Sequence, residues 1–260
     1  MESRITEKFS FDGLTPFGCF YKDNLQNLRP KKFWRLTKQV GFKVQALLQL
    51  RVQLKEDVRL FLWGDDSESD AIIYNLFSDI CSRRISSSDL RRVLDHFSVS
   101  GDQIDTILSL QSVIPEKDPV GKIFINLATD TDPDYYLKFG RRTLPTYNTF
   151  QVALDLYQSK KIDFEMLLKI GLDMVNNYAF TPDELTRSFD ELVRRQVLGH
   201  DGVTELVPLL QKVKIMAADY VPSLLPVKLS WIPERQELDF EGAHEPWIPE
   251  HIDYLNDYRW

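Results

Sequence analysis

A short apolar run, Val58-Arg-Leu-Phe-Leu-Trp63, breaks off at Gly64 and is followed at once by Asp65, Asp66, Glu68 and Asp70. The apolar residues then change period. Ile72, Ile73, Leu76, Phe77 and Ile80 fall on one face of a helix. Buried strand, glycine, acids, helix: this order constrains the chain more than any other feature. It is the strand–turn–helix of an α/β fold, in which ligand sites gather at the carboxyl ends of strands. Lys122-Ile-Phe-Ile-Asn-Leu127 predicts a second strand.

The remaining periodicity is helical. Phe33, Leu36, Val40, Val44, Leu47, Leu48 and Leu50 predict a helix over 32–53. Ser88 and Ser100 are N-cap candidates for helices at Asp89–Phe97 and Gly101–Leu110. Beyond residue 130, Phe150, Ala153, Leu154 and Tyr157 share one face, and Phe164, Leu167, Leu168, Ile170 and Leu172 another. Thr181-Pro-Asp-Glu184 is a capping box with proline at the first helical position, opening a helix to about Val197. From Val221, Pro222, Pro226, Pro233, Pro246 and Pro249 alternate with Trp231, Trp247 and Trp260. Such a tail is expected to wrap over a domain and bury its rings. The expected organisation is a sheet-bearing part over 1–130, a helical region over 131–220 and a wrapping tail over 221–260.

Composition excludes several classes. Gly and Pro total only 24 of 260 residues, which rules out collagen-like and low-complexity chains. No apolar run reaches the roughly 18–20 residues of a membrane span. The start has no apolar signal segment, and only Cys19 and Cys81 are present, so a disulfide framework is excluded and a reducing cytoplasm is expected. The net charge of −7 argues against nucleic acid as a partner. It is unevenly spread. Lys22 to Arg59 carries ten basic residues against three acids, and Glu234 to Asp257 eight acids against Arg235. These read as two solvated faces, or the first as a basic mouth for an anionic substrate.

Two features carry chemistry. Clustered carboxylates at a strand end suit a hard cation such as Mg²⁺, which takes one or two carboxylates and keeps waters and phosphate oxygens. The simpler reading is an acidic first turn complementing a helix dipole. Lys43, among the apolar positions of its helix, either snorkels to solvent or points its ammonium at a phosphate.

Together these residues resemble a known family. Lys43-Val-Gln-Ala-Leu-Leu, then Leu60-Phe-Leu-Trp-Gly-Asp-Asp-Ser-Glu-Ser-Asp-Ala-Ile-Ile-Tyr74, is similar to the third and fourth motifs of the haloacid dehalogenase (HAD) superfamily, and most to its phosphatidate-phosphatase-like branch. The specific match spans roughly residues 10–85, with a weaker one through Gly121–Leu127 and Phe139–Leu156. The resemblance implies a partial HAD-like α/β sheet, the C-terminal half of the domain. It also implies a Mg²⁺-dependent phosphatase acting on a phosphomonoester, a lipid headgroup such as phosphatidate by analogy. Asp65 would bind the metal, Asp66 or Asp70 would support it, and Lys43 would steady the nucleophile and the phosphoryl group.

The family's nucleophile pattern, Asp-x-Asp-x-Thr/Val on an early strand, does not occur before Lys43. Asp130-Thr-Asp132 follows the Gly-Asp motif and reads as a turn before Tyr135-Tyr136. The chain is therefore expected to be the later part of a longer enzyme, inactive by itself, or a non-catalytic interaction module derived from the fold. Without the nucleophile strand, Val58–Trp63 is expected to keep an open edge. His96, His200, His244 and His251 show no ligand spacing. Cys19 and Cys81 have no motif partner, Ser86-Ser-Ser88 is a loop and cap, and Arg141 and Arg142 read as surface charge with a phosphate contact as the alternative.

Overall fold

The structure is a computed structural model that describes residues 2–20, 32–67, 69–223 and 247–256. Three strands, β1 (Leu60–Asp65), β2 (Val120–Asn126) and β3 (Thr143–Thr146), form one parallel sheet in the order β1-β2-β3. The chain is thus mixed α/β. β1 begins two residues later than the apolar run suggests, because the Val58 N–H is spent in a turn on the Lys55 carbonyl. It pairs with β2 on one side and is an outer strand among the described residues. β3 has no apolar run to betray it. Pro145 in its middle suits an outer strand, which needs no outward N–H.

The molecule consists of two compact units. The first comprises Met1–Arg59, Ile72–Pro119 and Asp253–Trp260. It holds α1 (Glu2–Phe11), α2 (Lys32–Gln53), α3 (Asp70–Cys81) from Ile72 onward, α4 (Ser87–His96) and α5 (Gly101–Val113). α5 packs along both α2 and α4. Val40, Val44, Leu48, Ile73, Leu76, Phe77, Ile80, Leu90, Leu94, Ile104 and Ile107 are among the buried apolar residues of this unit. Fully buried Arg51 ends α2, donating to the Lys55 carbonyl at 2.8 Å and the Glu56 carbonyl at 3.3 Å. The cap of α4 is Ser86, not Ser88. The Ser86 hydroxyl accepts the Asp89 N–H at 3.1 Å, three residues on, and so claims the helix start. Ser100 holds the N-cap position of α5 without a side-chain bond.

The second unit, Leu60–Ala71 and Val120–Ile252, contains the sheet. It adds a 3-10 turn (Pro133–Phe139), α6 (Thr149–Gln158), α7 (Phe164–Tyr178), α8 (Pro182–Arg194) and α9 (His200–Lys212). Phe124 and Leu144 of the sheet share a core with Phe150, Leu154, Leu167, Phe189, Leu192, Val203, Leu206 and Leu210. The capping box forms as its spacing predicts, with Thr181 and Glu184 each accepting from the other's backbone N–H. α9 carries Pro208 inside it and still buries Val203, Leu206, Val207 and Leu210 at helical spacing.

Most of the proline-rich tail, with Trp231 and His244, lies outside the described residues, as do residues 21–31 of the basic stretch, Glu68 and Trp260. Within 247–256, Ile252 and Tyr254 are buried, whereas Trp247 is 45% exposed. Trp247 contributes its carbonyl instead, which accepts the Arg141 and Arg142 N–H groups. Among the described residues, no helix is long and apolar enough to cross a membrane.

Candidate functional site

Register places the site. In a parallel sheet, partners on neighbouring strands face the same side, so pairs two residues apart stack into rows. Asp65, Asn126 and Thr146 form the last row, at the carboxyl ends of β1, β2 and β3. One step inward lies the row Trp63, Phe124 and Leu144. The Asp66 N–H donates to the Asn126 carbonyl at 3.1 Å, and the Leu127 N–H to the Thr146 carbonyl at 2.8 Å. These main-chain bonds hold the strand ends level.

The acids after β1 take distinct roles. The Asp65 Oδ1 accepts the Ser67 N–H at 3.0 Å and the Ser67 hydroxyl at 2.6 Å, closing a turn. The Asp66 Oδ2 accepts the Ala128 N–H at 2.7 Å and also the Thr131 hydroxyl, which fastens the loop after β2. Asp70, almost fully buried at the start of α3, accepts the Asp65 N–H on its Oδ2 at 3.3 Å. It packs so closely on Gly64 that a Cβ added there would stand 2.4 Å from the Asp70 Cβ. Glycine is needed at position 64 for that approach. Asp132 caps the 3-10 turn by accepting the Asp134 N–H at 2.9 Å, so Asp130-Thr-Asp132 forms the turn its position suggests.

Burial, with the Asp66 and Asp65 carboxylates adding to it, pushes the Tyr136 phenol above its ordinary range. It remains a neutral hydroxyl at physiological pH.

Of the residues the sequence singles out, the fold gathers Asp65, Asp66 and Asp70 within one turn in the second unit. Lys43, half-buried on α2, belongs to the first unit. No group of three His, Cys, Asp or Glu side chains is poised around a metal among the described residues. Asp65, Asp66 and Asp70 each accept a backbone N–H on one carboxylate oxygen.

Arg142 is 1% exposed, which corrects its reading as surface charge. It is drawn in at the entry to β3, where its carbonyl accepts the Ile123 N–H at 3.0 Å. Cys81 is buried and its thiol is pushed up to about 12, chiefly by burial and then by the Asp118 charge, so it is no nucleophile.

A hollow of about 350 Å³ opens against the last row. It is lined by the apolar Trp63, Phe124 and Val152, by Gly64, and by the polar Asp65, Asn126, Thr146, Asn148 and Thr149. Asn148 caps α6, accepting the Gln151 N–H at 3.1 Å and donating to the Ser188 hydroxyl at 2.8 Å. The residues from β3 and α6 are absent from the sequence-based site. They lie some eighty positions from Asp65 in a stretch without a motif, and only the register of β3 could have found them.

No family model, curated protein or solved structure matches the chain.

Proposed function

We propose that the chain carries the lysine- and aspartate-bearing part of a HAD-like, Mg²⁺-dependent phosphatase that hydrolyses a phosphomonoester. The supporting observation is the end of β1: Gly64-Asp65 closes a parallel strand while buried Asp70 fixes the Asp65 N–H. Asp65, which lines the hollow at that strand end, is suited to hold a hard cation, which would neutralise charge on a transferring phosphoryl group. Asp70 and Asp66 position that end of the strand, while Lys43, to which the resemblance gives the phosphoryl group, belongs to the other unit. The nucleophile would come from a strand added to the open edge of β1, so this chain by itself is inactive. A lipid phosphate such as phosphatidate is the substrate suggested by family analogy.

A second reading has one observation in its favour. Asp66 is spent on the Ala128 N–H and the Thr131 hydroxyl, as in a fold kept for interaction alone.

Calorimetric titration with Mg²⁺ separates the two. The enzyme reading expects binding that Asp65→Asn abolishes, and no hydrolysis of para-nitrophenyl phosphate by the chain alone. Absence of Mg²⁺ binding, or binding indifferent to Asp65→Asn, overturns that reading in favour of the module. Turnover by the chain alone would show that the nucleophile assignment is wrong.

A further inference from the structure

We infer that the hollow at the carboxyl ends of the sheet binds a free α-amino acid, its ammonium on Asp65 and its carboxylate on Thr146 and the start of α6. The inference goes beyond the phosphatase reading and does not need it.

A buried hydroxyl points to a ligand. Thr146 is 2% exposed, yet it borders the hollow. It stands two residues beyond Leu144, which packs into the core with α6, so its side chain faces the same side. Its carbonyl accepts the Leu127 N–H, but its hydroxyl has no partner among the described residues. A buried hydroxyl left without a partner is costly, and a ligand oxygen would satisfy it. The start of α6 adds donors beside it. The Asn148 Oδ1 takes the Gln151 N–H, so the Thr149 and Phe150 N–H groups are without an acceptor among the described residues. Together these donors and the helix dipole suit a carboxylate.

The other end of the row has the opposite character. The Asp65 Oδ1 is engaged by Ser67, while its Oδ2 has no partner among the described residues. Among the described residues no lysine, arginine or histidine lines the hollow. An anion without a metal would therefore meet Asp65 with nothing to offset the repulsion. An amine without a carboxylate would leave the donors at α6 unused. A zwitterion satisfies both ends.

The spacing fits an α-amino acid. Neighbouring strands lie about 4.8 Å apart, so Asp65 and Thr146, with Asn126 between them, are about 10 Å apart. The ammonium and carboxylate of an α-amino acid are about 3 Å apart, and a hydrogen bond of about 3 Å at each end makes a bridge of about 9 Å. The Asn126 amide, exposed between the two ends, can accept from the ammonium and donate to the carboxylate. A peptide terminus brings one of these charges without the other. The hollow's volume, near the lower end for ligand pockets, suits a single amino acid, and Val152 offers carbon to an aliphatic side chain.

Calorimetric titration of the whole chain with L-leucine, L-methionine and L-serine, without Mg²⁺, tests the inference. Saturable binding of at least one is expected. The carboxamide and N-acetyl derivatives of the one that binds each lack one charge and are expected to bind about tenfold or more weakly. Thr146→Val keeps the side chain's shape and deletes a hydroxyl that has no protein partner, so it should fold like the wild type and weaken binding about fivefold. Asn126→Ala, at an exposed position, is expected to weaken it by a similar factor and replaces Thr146→Val if that variant unfolds. Absence of amino-acid binding up to about 10 mM overturns the inference. So does equal binding of either derivative, or saturation by inorganic phosphate without an amino-acid response. Binding unchanged in Thr146→Val, or in Asn126→Ala where Thr146→Val does not fold, overturns it as well. Both substitutions leave Asp65 in place, so Mg²⁺ titration of the same variants reads the phosphatase proposal separately.

Discussion

Cys81 shows how one residue's surroundings become a property of the fold. Its thiol is fully buried on α3 and faces the Asp118 charge, which together raise it from 9.0 to about 12. In the unfolded chain the thiol ionises near 9, so the unfolded state binds fewer protons once the pH passes that value. Stability contributed by the neutral thiol is complete below pH 9 and is lost as pH rises towards 12, at up to about 1.4 kcal/mol per pH unit. Urea midpoints at pH 8, 9, 10 and 11 should fall more steeply for the wild type than for Cys81→Ala, which removes the titration. Equal slopes would show that burial does not hold the proton. The sequence identified Cys81 as a face residue of an amphipathic helix, and that much was legible. The magnitude was not, because Asp118 lies in a loop and α3 alone says nothing of what packs over it.

At the level of elements, strand β2 and helix α6 are joined by an ion pair that no periodicity announces. The Lys122 Nζ stands 2.8 Å from the Asp155 Oδ1, with side chains 8% and 2% exposed. Lysine inside a buried strand reads as a break in an apolar run, and aspartate in a helix reads as solvent-facing. Only their juxtaposition makes either sensible. Removing one partner leaves the other charge buried and alone, so Lys122→Met or Asp155→Leu should each cost about 3–5 kcal/mol in urea unfolding. The double variant Lys122→Met/Asp155→Leu should recover most of that loss. A double variant no better than the worse single one would mean that the pair's net contribution is large.

The same scale shows what patterning can and cannot give. Long apolar stripes made α2, α3, α6 and α7 legible, and the Thr181 to Glu184 spacing made the start of α8 legible. β3 was hidden because four residues with a proline carry no period. With β3 hidden, the polar row Asp65, Asn126, Thr146 could not be assembled, although Asn126 stood in a recognised strand and Asp65 just beyond the end of another. The acids after β1 were found by clustering, but clustering could not tell that Asp66 fastens a loop and Asp70 braces a glycine. Those are long-range hydrogen bonds.

At the scale of the molecule, the first unit is closed by a contact across most of the chain. The Tyr254 hydroxyl donates to the Asp79 Oδ2 at 2.5 Å, and the Asp79 Oδ1 accepts from the Arg84 Nε at 2.7 Å. The Arg84 Nη2 continues to Asp118 at 3.1 Å and to the Ser78 hydroxyl at 2.6 Å. Both Tyr254 and Asp79 are 5% exposed. Tyr254→Phe keeps the ring and deletes the donor, so it should destabilise by about 1–3 kcal/mol in urea unfolding followed by circular dichroism. A loss below about 0.5 kcal/mol would show that Arg84 alone satisfies Asp79.

That neither unit is a continuous stretch of chain has a consequence for synthesis. β1 leaves the ribosome before any residue of β2 exists, and α3, α4 and α5 must be made in between. The first unit in turn waits for Tyr254, which is made long after α2 has emerged. A nascent chain of this kind cannot complete one unit and then begin the other. Until the later segments exist, the apolar strand β1 is the segment a ribosome-bound holdase would be expected to shield.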